Sequence, residues 1–281
     1  MILIADSGSS KTSWSVMDQS EQIASYNSVG LNPYHISDAR IFDILKKSFP
    51  KELSALNIKE FFFYGAGCKL DPMAQRMKSV LSQFFTSSAI YVYSDIVGAA
   101  RALYKRNSGI VAIVGTGINT GFYNGGSIEN KVPSLGYILG DEGSGCYLGK
   151  ELLRVWQYGE LPNDIALKLT SFAKVDLSAI LRNVYGEVNP ERFLSGFVPF
   201  IVQNINHTSV QALVDNAFDL FVERHLTKYP QFTNYGVGIV GSVGFVLAQR
   251  LKNAIEKRGG EVDKFLQFPI KGLLDFHKSE K

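Results

Sequence analysis

Two aspartates and three clusters of small residues carry the chemistry this chain can be read for. Asp6 and Asp95 each close a short apolar run, Ile2-Leu3-Ile4-Ala5 in one case and Ala89 to Tyr93 in the other. A carboxylate so placed can orient a hydrated Mg²⁺, an ion that takes oxygen ligands and keeps several waters. A second carboxylate can accept the proton of an attacking hydroxyl, as phosphoryl transfer requires. Asp95 also has a plainer use, capping a helix over 96–104, and one residue can serve both purposes. The small-residue clusters are Asp6-Ser7-Gly8-Ser9-Ser10, Gly115-Thr116-Gly117 and Gly241-Ser242-Val243-Gly244. Backbone N–H groups in such turns approach phosphate oxygens, and Ser and Thr hydroxyls add donors. Any one of them alone reads as a tight loop without a ligand. Three, each after an apolar strand, point to a phosphate ligand at the carboxyl edge of a sheet.

The elements that position these turns are short β-branched runs bounded by glycine. Besides Ile2–Ala5 they are Phe61-Phe62-Phe63-Tyr64, Ala89 to Tyr93, Ile110 to Val114 and Val237 to Val240. Such runs are buried strands of a sheet covered on both faces. After the first, Trp14 to Asp18 and Gln22 to Tyr26 alternate around a polar turn, which predicts an antiparallel meander. Thr120 to Asn124 repeats that habit after the second glycine cluster, with a turn at Asn124-Gly125-Gly126. Helices are predicted from Asp71, with Pro72 in its first turn, beyond Thr208, and as one piece from Val243 to Arg258. The span from Asp141 to Tyr229 reads as mainly helical. Each half therefore begins with strand, small-residue turn and returning hairpin, a duplicated α/β architecture whose boundary falls near Ser108-Gly109.

Composition excludes several classes. With 281 residues, the chain is long enough for two domains and a sizeable core. Lys and Arg exceed Asp and Glu by only three, and no basic run exceeds Lys46-Lys47, so nothing points to a nucleic-acid partner. No apolar run approaches the length of a membrane span, and the start lacks a secretory signal, so a cytoplasmic protein is expected. Cys68 and Cys146 cannot form a disulfide framework or a zinc site alone, and each reads as a small buried residue. His35, His207, His225 and His277 lack metal-ligand spacing and read as surface or capping residues. There is no P-loop, and Gly115 to Gly121 misses the dinucleotide spacing by one residue.

At this point the motifs resemble a known family. Their order is similar to that of the actin-like ATPase and sugar kinase superfamily, and within it the BadF/BadG/BcrA/BcrD-type branch that contains N-acetylglucosamine kinase. Asp6 to Thr12 is similar to the first phosphate segment, and Gly115-Thr-Gly-Ile-Asn119 to the second. Gly238 to Gly244 resembles the adenosine segment, Gly30-Leu-Asn-Pro-Tyr34 a sugar-facing loop, and Ser94-Asp95 the catalytic-base strand. Gly136-Tyr-Ile-Leu-Gly-Asp-Glu-Gly-Ser144 is the most specific match. Leu135 stands where the family often has Trp, a departure that bears on which sugar substituent is recognised.

The resemblance implies a duplicated actin-like ATPase fold, ribonuclease H-like in each half, with two domains around a nucleotide cleft that closes on its ligands. The domains would be 1–108 with 265–281, and 109–264 with the helical insertion. It implies ATP and Mg²⁺ as cofactors and an amino sugar, most readily N-acetylglucosamine, phosphorylated at its 6-hydroxyl. Asp95 would be the base, and Asp6 would hold Mg²⁺ through water. Ser9, Ser10, Lys11, Gly115, Thr116, Gly117, Gly241, Ser242 and Gly244 would meet the nucleotide. Asn32, Asp95, Asn119, Gly136 and Asp141 would meet the sugar. A homodimer is common among such relatives, and no membrane or nucleic-acid partner is implied. Two competing readings share the branch: an ATPase that activates a dehydratase through a cluster ligated by cysteines, and a binding protein without catalysis.

Overall fold

The structure, a computed structural model, describes residues 1–49, 57–68, 71–130, 132–186 and 189–280. The chain divides into two compact units. The first comprises Met1–Asn107, Asn124–Ser127 and Phe268–Lys281, the second Ser108–Tyr123 and Ile128–Gln267.

In the first unit, β1 (Ile2–Ser7), β2 (Lys11–Asp18), β3 (Glu21–Val29), β4 (Glu60–Gly65) and β5 (Ala89–Ser94) form one sheet in the order β3-β2-β1-β4-β5. β1 to β3 form the expected antiparallel meander, while β4 and β5 run parallel to β1. Ile2, Leu3, Ile4 and Ala5 are all buried, because helices cover both faces. On one face Leu3 and Ala5 join Trp14, Phe61 and Phe63 against Ile41, Leu45, Met77 and Leu81 of α1 (Asp38–Ser48) and α2 (Asp71–Phe84). On the other lie α3 (Asp95–Tyr104) and the C-terminal helix Ile270–Ser279, which pack on each other and on the strands. Ser37 caps α1 by accepting from the Arg40 N–H. His277 is buried on the C-terminal helix, where Nε2 meets the Tyr64 hydroxyl at 3.0 Å. Arg101 of α3 donates to that same hydroxyl at 2.9 Å and lies over the Tyr93 ring. His277 is therefore an interior anchor and not the surface residue its spacing suggested.

The second unit repeats the plan. β6 (Gly109–Val114), β7 (Ile118–Tyr123), β8 (Ile128–Asn130), β9 (Val237–Val240) and β10 (Val262–Leu266) are ordered β10-β9-β6-β7-β8. β6, β7 and β8 are antiparallel, and β9 and β10 run parallel to β6. Between β8 and β9 come α4 (Gly136–Leu139), α5 (Gly145–Gln157), α6 (Asn163–Ala173), α7 (Leu177–Tyr185), α8 (Pro190–Ser195), α9 (Val198–Gln203) and α10 (Thr208–Arg224). Their apolar faces share one core with β6, built around Leu148, Leu152, Phe218 and Phe221. The helix expected as one piece from Val243 is two, α11 (Ser242–Val246) and α12 (Ala248–Glu256). The break falls at Leu247, whose side chain is buried, after a stretch in which Val243, Gly244 and Val246 are poor helix formers. Among the described residues, no helix is long and apolar enough to cross a membrane.

Candidate active site

In the first unit three segments meet at the carboxyl edge of the sheet. Asp6 lies inside β1, one residue before its end, and the turn that follows closes with Gly8 N–H donating to Lys11 O at 2.9 Å. Ser7 Oγ accepts from the Leu31 N–H at 2.9 Å and meets Thr12 Oγ1 at 2.8 Å, which ties that turn to the loop carrying Asn32. A Cβ on Gly30 would lie 2.3 Å from Gly8 O, so the two backbones approach as only glycine allows. Asn32 is buried, and its Oδ1 accepts from the Tyr34 N–H at 3.0 Å, a local turn closed by the side chain. Gly67, at φ +79°, backs onto the same oxygen. Ser9 and Ser10 are exposed in the turn, and Lys11 lies with its ammonium 4.7 Å from the Phe268 ring centre.

Asp95 is the first residue of α3, where Oδ1 accepts from the Ile96 N–H at 2.8 Å. It thus serves the helix start, while Ser94 at the cap position makes no side-chain bond. The two aspartates feel each other: burial pushes the Asp6 carboxyl up to about 7, the Asp95 charge adds to this, and Lys11 opposes it. Cys68 is buried beside this edge, its thiol pushed up to about 12 by burial and by Asp95.

In the second unit the 115–117 turn meets the segment after α4 and the turn after β9. Gly145 N–H donates to Gly115 O at 2.8 Å and Cys146 N–H to Thr116 O at 3.1 Å. Asp141 is buried, with its backbone in the left-handed region at φ +58°. Its Oδ1 accepts from the Ile118 N–H at 3.3 Å, and Oδ2 would lie 2.8 Å from a Cβ on Gly117. Burial raises the Asp141 carboxyl above its ordinary range, against the Ile118 hydrogen bond. Asn119 follows on β7, and Gly136 opens α4 at φ +73° with open space where a Cβ would be. Gly241, at φ +124°, backs onto Val114 O, and Ser242 beside it is exposed. Gly244 is different. It faces Ile239 and Val114 in the interior, where a Cβ would lie 2.6 Å from Ile239 Cγ2, so close packing of α11 on β9 accounts for it.

Sequence reasoning passed over the residues that hold these segments. Glu142, next to Asp141, is buried and accepts from Arg224 and, at 3.1 Å, from His225 Nε2. Burial works against its charge, yet backbone, Arg224 and His225 hydrogen bonds outweigh it and hold the carboxyl below the ordinary range. His207 and His225 cap the two ends of α10, as expected of capping residues, and His225 is buried there. Among the described residues no group of three or more His, Cys, Asp or Glu side chains could hold a metal.

Neither a family model nor a curated protein sequence matches the chain. A solved structure does: a structural-genomics protein from Porphyromonas gingivalis, assigned as an N-acetylglucosamine kinase, is 34% identical, with 99% of each chain covered and a TM-score of 0.93. The chain belongs to the N-acetylglucosamine kinase-like branch of the actin-like ATPases and sugar kinases. A second protein so assigned, from Chromobacterium violaceum, shares the fold at 16% identity, covering 98% of this chain and 99% of its own, with a TM-score of 0.76. A ROK family glucokinase from Streptomyces griseus, solved with glucose and AMPPNP, does so at 14% identity over 98% of this chain and 97% of its own, with a TM-score of 0.61. In this N-acetylglucosamine kinase-like chain, the paired five-stranded sheets are the duplicated actin-like halves. Cys68 and Cys146 are buried in the separate cores of the two halves, as small interior residues.

Proposed function

We propose that the protein transfers the γ-phosphoryl group of ATP to the 6-hydroxyl of N-acetylglucosamine. The observation that carries this reading is the placement of Asp6 near the end of β1 and Asp95 just after β5, at the same carboxyl edge of one sheet and beside the Ser-rich turn that follows β1. Two acceptor-only carboxylates there suit one proton acceptor and one oxygen ligand for a cation. Asp95 takes the proton of the sugar hydroxyl as its oxygen attacks the γ-phosphorus, and the phosphorus–oxygen bond to ADP breaks. Asp6 would hold a Mg²⁺ ion, which would supply charge neutralisation on the phosphates. The donor set fits that ion, because burial and Asp95 already strain the Asp6 charge and a cation relieves both.

The other roles follow. Ser9, Ser10 and Lys11 of the first unit, and Gly115, Thr116, Gly117, Gly241 and Ser242 of the second, are assigned to the nucleotide. Asn32, Asn119, Gly136 and Asp141 are assigned to the sugar, whose hydroxyls need both donors and acceptors. Asp141 suits that task because its carboxylate is fixed by the Ile118 N–H and kept buried for a hydroxyl to meet. The test is a coupled ADP-release assay with MgATP across a panel of amino sugars, with the product identified by mass and by phosphorus NMR. N-acetylglucosamine should give a 6-phosphate. ADP release that no sugar raises above the acceptor-free rate would overturn the reading.

A further inference from the structure

We infer that Arg76 is a positioning residue for the sugar acceptor. This deepens the proposed function and rests on its assignment of Asn32 to the sugar. Asn32 stands in a loop, residues 30–36, without helix or strand of its own. Such a loop has few backbone partners to fix it, and buried polar groups must be satisfied by other means. Arg76, on α2, reaches this loop with two guanidinium nitrogens and the start of α1 with the third. Nη1 donates to Pro33 O, Nη2 donates to Ile36 O at 2.9 Å, and Nε donates to Asp38 Oδ1 at 2.6 Å.

The geometry matters more than the charge. A planar fork holds several acceptors in fixed directions, which a lysine ammonium on its flexible stem does not reproduce. Here the fork ties the residue directly after Asn32 to the start of α1. The Arg76 side chain is 28% exposed, so these hydrogen bonds are partly shielded from water. On its other side, Asn32 is fixed by the Tyr34 N–H and by the close approach of Gly67. The Leu31 N–H bond to Ser7 Oγ holds the loop ahead of Asn32, and Arg76 holds the residues that follow it. Loss of Arg76 frees two carbonyls and the Asp38 carboxylate and leaves the residues after Asn32 without their tie to α2. The nucleotide-facing turn at 8–11 has its own closure, Gly8 N–H to Lys11 O, which does not involve Arg76.

The consequence is a split between the two substrates. An interaction that holds the acceptor equally in ground and transition state appears in KM and not in kcat. With N-acetylglucosamine and MgATP, Arg76→Met should raise the sugar KM about tenfold or more, with the ATP KM changed less than about twofold and kcat less than about threefold. Arg76→Lys, which keeps the charge and can still pair with Asp38, should fall between, and serves if the Met variant folds poorly. Free guanidinium at millimolar concentration should lower the sugar KM of Arg76→Ala and leave that of the parent unchanged. A sugar KM unchanged in both variants, or sugar and ATP KM values rising together, overturns the inference and leaves Arg76 a stabilising contact only. A parent chain that phosphorylates no sugar overturns the functional reading and this inference with it, so the two failures are distinguished by the parent alone.

Discussion

Asp6→Asn should stabilise the ligand-free protein while disabling it. Asp6 is raised from 3.8 to about 7 by burial and by the neighbouring Asp95 charge. Over the window between those values the folded chain holds a proton at this site that the unfolded chain has released. Stability from this group is therefore greatest below pH 4, falls as pH rises, and is lowest above about 7. Each pH unit of difference corresponds to about 1.4 kcal/mol, so charging Asp6 in the folded state costs at most about 4 kcal/mol. Asparagine escapes that cost but still buries an amide, so a net gain of about 1–3 kcal/mol is expected at pH 8. For a chain of this size that is a Tm higher by about 2–5 °C. Thermal melts of both proteins from pH 4 to pH 8, without nucleotide or metal, should show the gap opening between about pH 4 and 7 and levelling above. A gap equal at pH 4 and pH 8, or a variant less stable than the parent at pH 8, would refute the reasoning.

Two further outcomes follow from the same geometry. Asp95→Asn keeps an acceptor for the Ile96 N–H, so melting should be little changed, while turnover falls about 10²–10⁴-fold with both substrate affinities retained; near-normal sugar phosphorylation would sink Asp95 as the base. Gly117→Ala places a methyl 2.8 Å from Asp141 Oδ2, so displacement of that carboxylate should weaken sugar binding about tenfold, measured by calorimetry without ATP, and unchanged binding would remove Asp141 from the sugar's contacts.

Much of the fold is legible because its signals are local. Buried parallel strands read as continuous apolar runs, and Ile2–Ala5 and Val237–Val240 are such runs. The meander after β1 was readable from alternation, since β2 and β3 are antiparallel neighbours. The anchors were not readable, and the reason is physical. Two of the three Arg76 acceptors are backbone carbonyls, which carry no side-chain signature, and Asp38 lies 38 positions away in sequence. His225 caps the end of α10 and His277 lies on the C-terminal helix, and only tertiary contacts with Glu142 and Tyr64 explain their burial. The break at Leu247 likewise depends on which side chains the sheet must cover, because the apolar spacing itself continues into α12.

Glycine shows the same division. At Gly30, Gly67 and Gly117 a missing Cβ lets one site segment lie against another, while at Gly244 it lets a helix lie against a strand. In sequence all four are small residues near motif positions, and their spacing does not separate the two uses. What separates them is the partner atom: Gly8 O, Asn32 Oδ1 and Asp141 Oδ2 in the first three, Ile239 Cγ2 in the last. At Gly67 and Gly117 the partner is a side-chain oxygen, and the close backbone limits where that oxygen can turn. At Gly244 the partner is aliphatic, and the close backbone fills space between helix and strand. The oxygens of Asn32 and Asp141 are each held by a backbone N–H on one side and a glycine on the other. A hydroxyl is selected only by partners that cannot turn away, so each of these oxygens, within its own unit, suits the sugar-reading role proposed for it.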